Sequence, residues 1–135
     1  MVAGLREEVS PATTHGDFKP DHVLLDGDRL ALVDLDGFTE ADPVEDAARI
    51  LAHITSMPLR RYVLPHDRAW TYARTFAEEY FAHVPEAWRD RLPLHYARNV
   101  FKMAPNFLQR PQPGWPDKIE ALIEEAEDSL AGRVW

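Results

Sequence analysis

The chain has 135 residues, enough for one domain or one lobe of a larger one, with 45% hydrophobic and 28% charged residues, an ordinary globular balance. The formal net charge of −8 excludes a basic groove for nucleic acid, because binding phosphate backbones requires clustered Lys and Arg. The absence of cysteine excludes disulfides and thiolate metal sites. No apolar run approaches the roughly 20 residues of a membrane span, and no signal-peptide pattern opens the sequence. We therefore expect a cytoplasmic protein with neither nucleic-acid nor membrane partners.

The first third of the chain carries the strand signals. The first dozen residues are predicted to be the end of a helix, closed by Ser10-Pro11. Two short apolar runs then surround Asp26-Gly27-Asp28, and this pattern predicts a β-hairpin with arms Val23–Leu25 and Leu30–Val33, because Asp-Gly supplies the positive-φ positions of a tight turn. Short, apolar arms of this kind are typical of strands packed against helices.

A helix start is predicted directly after the hairpin region. Asp42 can cap the helix, Pro43 occupies its first position, where the missing N–H costs nothing, and Glu45 falls at the third. Apolar residues then recur at helical spacing up to Pro58, at Val44, Ala47, Ala48, Leu51 and Ile54. The spacing predicts a helix with one buried face.

The rest of the chain is predicted to be helical. Three further helices are expected over about Asp67–His83, Leu94–Leu108 and Pro116–Ala131, with a proline-rich loop over Arg110–Pro116. An aromatic stripe on the first of them is interpreted as core packing, and comprises Trp70, Tyr72, Phe76, Tyr80 and Phe81. We therefore predict a single domain over residues 1–135 that is mostly α with a short β-hairpin, an α+β fold.

Two carboxylates and a lysine surround the predicted hairpin. Asp17 follows a glycine and precedes a Lys19-Pro20 turn, and Asp34 ends the second arm. Since a hairpin returns the chain to its starting point, Asp17 and Asp34 should lie near one another. Such a pair suits phosphoryl transfer: one carboxylate positions and deprotonates a hydroxyl, the other binds Mg²⁺, and Lys19 offsets phosphate charge. The alternative is that these acidic residues are solvated turn residues, and the spacing argues against it.

His15-Gly16-Asp17, followed by four residues, position 22 and a hairpin ending in Val33-Asp34, resembles the catalytic loop and metal-binding strand of the protein kinase-like fold. The glycine in the first motif, together with Asp34-Leu35-Asp36, resembles the aminoglycoside phosphotransferase and choline kinase family. The segment Asp42–Ala48 is similar to that family's Asp-Pro-x-x-Asp-Leu-Ala motif. The resemblance implies a protein kinase-like C-lobe, with the catalytic loop and metal strand in about residues 13–48 and a helical remainder in 49–135.

Specific roles follow from this resemblance. It implies that Asp17 is the catalytic aspartate, that Asp34 is a Mg²⁺ ligand bridging the phosphates of ATP, and that Lys19 contacts phosphate. It also implies structural roles for His15, as a hydrogen-bond partner of the backbone near Asp34, and for Asp46, as a brace of the catalytic loop.

Two positions leave alternatives open. The family usually has Asn as a second metal ligand at position 22, where this chain has His22. Because Mg²⁺ prefers oxygen ligands, either one metal suffices, or His22 acts as a ligand or through water, or the site is impaired. Asp36 either helps to hold the metal or only turns the chain.

The resemblance implies an ATP-dependent phosphotransferase acting on a hydroxyl of a small molecule, for which a cationic substrate would suit the acidic chain. The six glycines are scattered along the chain, so they cannot form a Gly-rich phosphate loop. We also expect no room for a nucleotide-binding N-lobe before His15. We therefore expect a C-lobe lacking the N-lobe, inactive alone, whose partner is an N-lobe or a second copy. The alternative is a non-catalytic remnant C-lobe serving as a binding or interaction module. Aminoglycoside, choline, a sugar, homoserine and a macrolide all remain compatible as substrates.

Overall fold

A computed structural model describes residues 9–60 and 64–135. The chain is mostly helical with small antiparallel sheets, which agrees with the predicted α+β class. The helix predicted for the first dozen residues falls mostly outside the described part of the chain. Among the described helices, none has both the length and the apolar character needed to cross a membrane.

Four short strands form two separate antiparallel pairs. Strand β2 (Val23–Asp26) pairs with β3 (Arg29–Leu32), and β1 (Ala12–Thr14) pairs with β4 (Thr39–Ala41). The first pair is the predicted hairpin, with Gly27 at φ 61° in the first central position of its turn. The β1–β4 pair was not predicted, because three-residue strands carry no readable alternation. This pair joins the two ends of the segment 12–41, which contains the hairpin.

The hairpin is exposed, so the prediction that its arms pack against helices is wrong. The leucines of both arms remain 41–74% exposed, at Leu24, Leu25, Leu30 and Leu32. The physical reason is that the helices fill the core with their own side chains and pack against one another. The hairpin therefore presents an apolar surface, which we call the hairpin face, defined by Leu25, Leu30 and Leu32, which the strand register places on the same side of the hairpin.

Helix α1 (Val44–Thr55) begins as predicted. Oδ1 of Asp42 accepts a hydrogen bond from the N–H of Val44 at 3.0 Å, and its main-chain oxygen accepts one from the N–H of Glu45 at 3.0 Å. These bonds satisfy N–H groups that have no partner inside the helix. The helix ends at Thr55, and the short 3₁₀ turn Met57–Leu59 containing Pro58 follows it.

Four more helices complete the described structure, namely α2 (His66–Ala82), α3 (Leu92–Phe101), α4 (Ala104–Gln109) and α5 (Trp115–Leu130). The single helix predicted over 94–108 is in fact two, α3 and α4. Pro105 lies at the start of α4 and explains the break, because proline lacks the N–H and its ring clashes with the carbonyl four residues earlier.

The core lies between α1 and α3, with α2 and α5 on either side. Its largest fully buried side chains include Leu51, Leu92, Tyr96 and Leu122. The aromatic stripe of α2 is part of this packing, as predicted, except for Tyr72, which is 47% exposed. The helical bundle thus forms a platform, and the strand segment 12–41 lies against the start of α1.

Candidate active site

Two glycines allow the loop after β1 to touch the turn before β4. Gly16 has φ 80°, and a Cβ built on it would lie 2.1 Å from the carbonyl oxygen of Gly37. A Cβ on Gly37 would lie 2.9 Å from the carbonyl oxygen of His15. Both distances are much shorter than an ordinary van der Waals contact, so the two backbones can approach this closely only because neither residue has a side chain. This contact sets the loop carrying Asp17 beside the turn that begins at Asp34.

His15 and Asp46 hold the loop in place. The carboxylate of Asp46 accepts hydrogen bonds from the N–H of His15 and, at 3.1 Å, from the N–H of Gly16. Nδ1 of His15 accepts the N–H of Asp17 at 3.3 Å, so the ring proton is on Nε2, which donates to the carbonyl of Val33 at 2.9 Å. These bonds match the structural roles predicted for both residues.

Asp17, His22 and Asp34 converge. Each offers one oxygen or nitrogen atom, and these three atoms all lie within 4.8 Å of one another. His22 Nε2 lies 3.2 Å from Asp34 Oδ2, and His22 Nδ1 lies 3.9 Å from Asp17 Oδ2. Asp36 is not a member of this group, although it is only two residues from Asp34. The expected proximity of Asp17 and Asp34 is therefore observed, with the buried His22 between them.

The ring of His22 has a defined orientation. Nδ1 lies 2.9 Å from the main-chain oxygen of Asp17, and because a carbonyl can only accept, Nδ1 carries a proton and donates it. The ring also stacks on His15 at a centroid separation of 5.5 Å. His22 is 8% exposed, and its remaining nitrogen, Nε2, faces the carboxylate of Asp34.

Asp34 has an unusual backbone for a residue that is not glycine, with φ 60° and ψ 61° in the left-handed region. Strained backbone of this kind is often found at functional sites. Its side chain is half exposed, so its carboxylate can reach a ligand from solvent.

Two cations contact the carboxylate of Asp17. Lys19 Nζ lies 2.8 Å from Oδ2 and Arg49 Nη1 lies 3.5 Å from Oδ1. Partial burial would raise the pKa of Asp17, but Lys19, Arg49 and His22 together lower the pKa below its usual value. Arg49 was missed by the sequence analysis. A usable signal was its place on α1, one turn after Asp46, which faces the same loop.

A second charged network lies behind the site, between α1 and α3. Arg91 forms two hydrogen bonds with Asp42, at 2.8 and 3.2 Å. His95 lies with Nδ1 2.8 Å from Glu45 and Nε2 2.9 Å from Asp42, so both ring nitrogens donate and the ring is an imidazolium. Arg49 contacts Glu45 at 3.4 Å and so joins this network to Asp17.

The network shifts the ionisation of its members. Burial would raise the pKa of Glu45, but hydrogen bonds from His95 and Arg98 outweigh it and lower the pKa to about 2. The hydrogen bond to Glu45 raises the pKa of His95 against the opposing effect of burial. Glu45 is therefore a buried anion surrounded by cations. Nothing in the local sequence pairs these residues, which are 50 positions apart.

Residues 3–82 match the model of the phosphotransferase enzyme family. No curated protein and no solved structure matches the chain. The matched range covers more than half of the chain and includes Asp17, Lys19, His22, Asp34 and Asp46. It agrees with the resemblance to aminoglycoside phosphotransferases and choline kinases, and the chain belongs to the phosphotransferase enzyme family.

Proposed function

We propose that the chain is the catalytic C-lobe of a protein kinase-like, ATP-dependent phosphotransferase that acts on a hydroxyl of a small molecule. The observation that carries the proposal is the convergence of Asp17 and Asp34 around the hairpin, in a member of the phosphotransferase family. Both carboxylates are accessible, since their side chains are 41% and 51% exposed.

In this proposal Asp17 orients the substrate hydroxyl and accepts its proton as the new O–P bond forms to the γ-phosphorus of ATP. The bond from that phosphorus to the β–γ bridging oxygen breaks, and ADP leaves. A lowered pKa makes Asp17 a weak base, which is acceptable because phosphoryl transfer depends mainly on positioning and charge stabilisation. Lys19, which contacts Asp17 at 2.8 Å, lies where it can also bind a phosphate oxygen. Arg49 acts as a positioning residue that holds Asp17 from the side of α1.

The site also fits a divalent cation. Two carboxylates and one imidazole offer ligand atoms within 4.8 Å of one another, and Asp17, His22 and Asp34 would hold the ion. A bound Mg²⁺ or similar ion would neutralise charge on the phosphates of ATP. Asp36 lies outside this group, so we assign it to turning the chain.

A cationic small molecule would suit the site as substrate, because the chain carries a formal net charge of −8. The acceptor pocket would decide which alcohol is the substrate. The alcohols to be tested are aminoglycosides, choline, sugars, homoserine and macrolides.

The hairpin face supports a further part of the proposal, that a nucleotide-binding half or a second copy of the chain covers it. The three leucines of this face are 41–74% exposed and form an apolar surface typical of an interface. The same surface favours a second candidate function, a non-catalytic interaction module. The two functions differ in whether the carboxylates of the site are needed for ligand binding.

Calorimetric titration of ATP into the chain, with and without Mg²⁺ or Mn²⁺, tests the proposal. We expect binding that requires the divalent ion, is lost in Asp34→Asn, and is kept in Asp28→Asn, which removes the same charge from the exposed hairpin turn. In a chain joined to a nucleotide-binding half, Asp17→Asn should lose transfer to the alcohol panel. Binding that ignores both the ion and Asp34→Asn would overturn the kinase proposal and favour the interaction module.

A further inference from the structure

We infer that the divalent site of this chain selects a first-row transition-metal ion over Mg²⁺, because His22 supplies a nitrogen ligand in a fixed orientation. The inference rests on the metal site of the proposed function and concerns which ion that site takes. It starts from the donor set, which is two carboxylate oxygens and one imidazole nitrogen.

The first step concerns which atom of His22 can bind a metal. Nδ1 donates to the main-chain oxygen of Asp17 at 2.9 Å, so Nδ1 is occupied. Nε2 is the remaining nitrogen, and it faces Asp34 Oδ2 at 3.2 Å. Two neighbouring ligands of an octahedral ion with bonds of about 2.1 Å lie about 3 Å apart. The observed separation is therefore close to that of two ligands sharing one ion.

The second step concerns whether the ring can turn away. His22 is 8% exposed, stacks on His15 at 5.5 Å and is tethered by its Nδ1 hydrogen bond. Rotating the ring would break that hydrogen bond and bury an unpaired polar atom, which is unfavourable. The ring is thus held with Nε2 aimed into the cluster, as metal-binding histidines are held when their other nitrogen donates to a carbonyl.

The third step is the preference of the ions. Mg²⁺ is a hard ion that binds oxygen and gives up water reluctantly, so a nitrogen ligand adds little to its affinity. Transition-metal ions accept imidazole readily. Either a proton on Nε2 or a metal ion bound to both atoms can bridge the 3.2 Å between Nε2 and the oxygen of Asp34, and the measurements below detect the metal ion.

Electron paramagnetic resonance with Mn²⁺ as the probe tests the inference on the nucleotide-free chain at pH 8. The measurements are the Mn²⁺ affinity, from loss of the free-ion signal, and the Mg²⁺ affinity, from competition. Wild-type protein should bind Mn²⁺ at least tenfold more tightly than Mg²⁺. His22→Asn should lower this ratio at least fivefold, through loss of Mn²⁺ affinity. His83→Asn, which alters a histidine whose side chain is 73% exposed at the end of α2, should leave it unchanged.

A pulsed measurement detects the nitrogen ligand directly in the wild-type protein. Electron spin-echo modulation from a directly bound imidazole nitrogen is expected with Mn²⁺ and is expected to be absent in His22→Asn. Bound Mn²⁺ without nitrogen modulation, an unchanged Mn²⁺/Mg²⁺ ratio in His22→Asn, or no binding of either ion would overturn the inference.

The outcome separates this inference from the proposed function. Nitrogen-coupled Mn²⁺ in a chain whose ATP binding ignores both the ion and Asp34→Asn would support the ion preference and refute the kinase. Binding of Mn²⁺ that is lost in Asp34→Asn but unaltered in His22→Asn would keep the kinase site and refute the preference.

Discussion

The contact between Gly16 and Gly37 makes a quantitative prediction about stability. Gly16→Ala would place a Cβ 2.1 Å from the carbonyl oxygen of Gly37, where carbon contacts are normally about 3.5–4 Å. The substitution also keeps φ at 80°, a region that costs an L-residue about 1–2 kcal/mol. Both effects act together at this position, so the loop and the turn must separate.

Two other glycines isolate the two contributions. Gly27→Ala changes a residue with φ 61° and nothing within 4 Å of the new Cβ, so it should cost only the backbone effect of about 1–2 kcal/mol. Gly37→Ala has no positive φ and a Cβ 2.9 Å from the carbonyl oxygen of His15, so it should cost about 1–3 kcal/mol from overpacking alone. Gly16→Ala should combine them, at about 3–5 kcal/mol.

The assay is urea unfolding of the three variants beside wild-type protein, followed by circular dichroism. Thermal melts should show the same order, with roughly 3–6 °C lost per kcal/mol for a chain of this size. Gly16→Ala and Gly37→Ala should also weaken Mn²⁺ binding, while Gly27→Ala should not. Equal losses of stability in Gly16→Ala and Gly27→Ala would refute the reasoning, because the close contact would then contribute nothing.

Three further changes test the helical platform. Leu51→Ala, at a side chain with no exposed surface, should cost roughly 2–5 kcal/mol in urea, and a loss under about 1 kcal/mol would show that α1 is misplaced. Asp42→Ala removes a helix cap and the carboxylate partner of the buried Arg91, so it should cost more than the ~1 kcal/mol of a cap alone, whereas Asp117→Ala at the exposed start of α5 should cost less. His95 has a raised pKa, so its contribution to stability is complete below pH 6.5 and is lost as the pH rises through the folded value. Glu45, with its pKa lowered to about 2, contributes above pH 4.5 and less as the pH falls towards 2. Unfolding free energies measured from pH 3 to 9 should therefore fall on both sides of a maximum, and His95→Gln should flatten the alkaline side.

Local signals in the sequence predicted much of the structure. The hairpin over 23–32 and the start of α1 at Asp42 depend on neighbouring residues, since a tight turn and a helix cap each involve a few consecutive positions. The order and spacing around Asp17 and Asp34 likewise predicted that the two carboxylates would meet.

Contacts between distant parts of the chain could not be predicted in this way. The pairing of Asp42 with His95 spans 53 positions, and no periodicity links them. Short apolar arms predict strands packed against helices, and only the folded bundle shows that none of the described helices covers the hairpin. The break between α3 and α4 had a visible signal in Pro105, which the helical periodicity of the flanking residues obscured.

The left-handed conformation of Asp34 restricts what can replace it on two independent grounds. Among residues 9–60 and 64–135, Asp34 is the one non-glycine residue with positive φ. Glycine and asparagine tolerate this conformation and lack the carboxylate, whereas valine or isoleucine would also be strained. The variants at position 34 should therefore form two groups. Glycine and asparagine variants should fold but lose the proposed ion ligand, and β-branched variants should lose stability as well. A substitution such as Asp34→Asn would thus remove the proposed ion ligand without disturbing the fold.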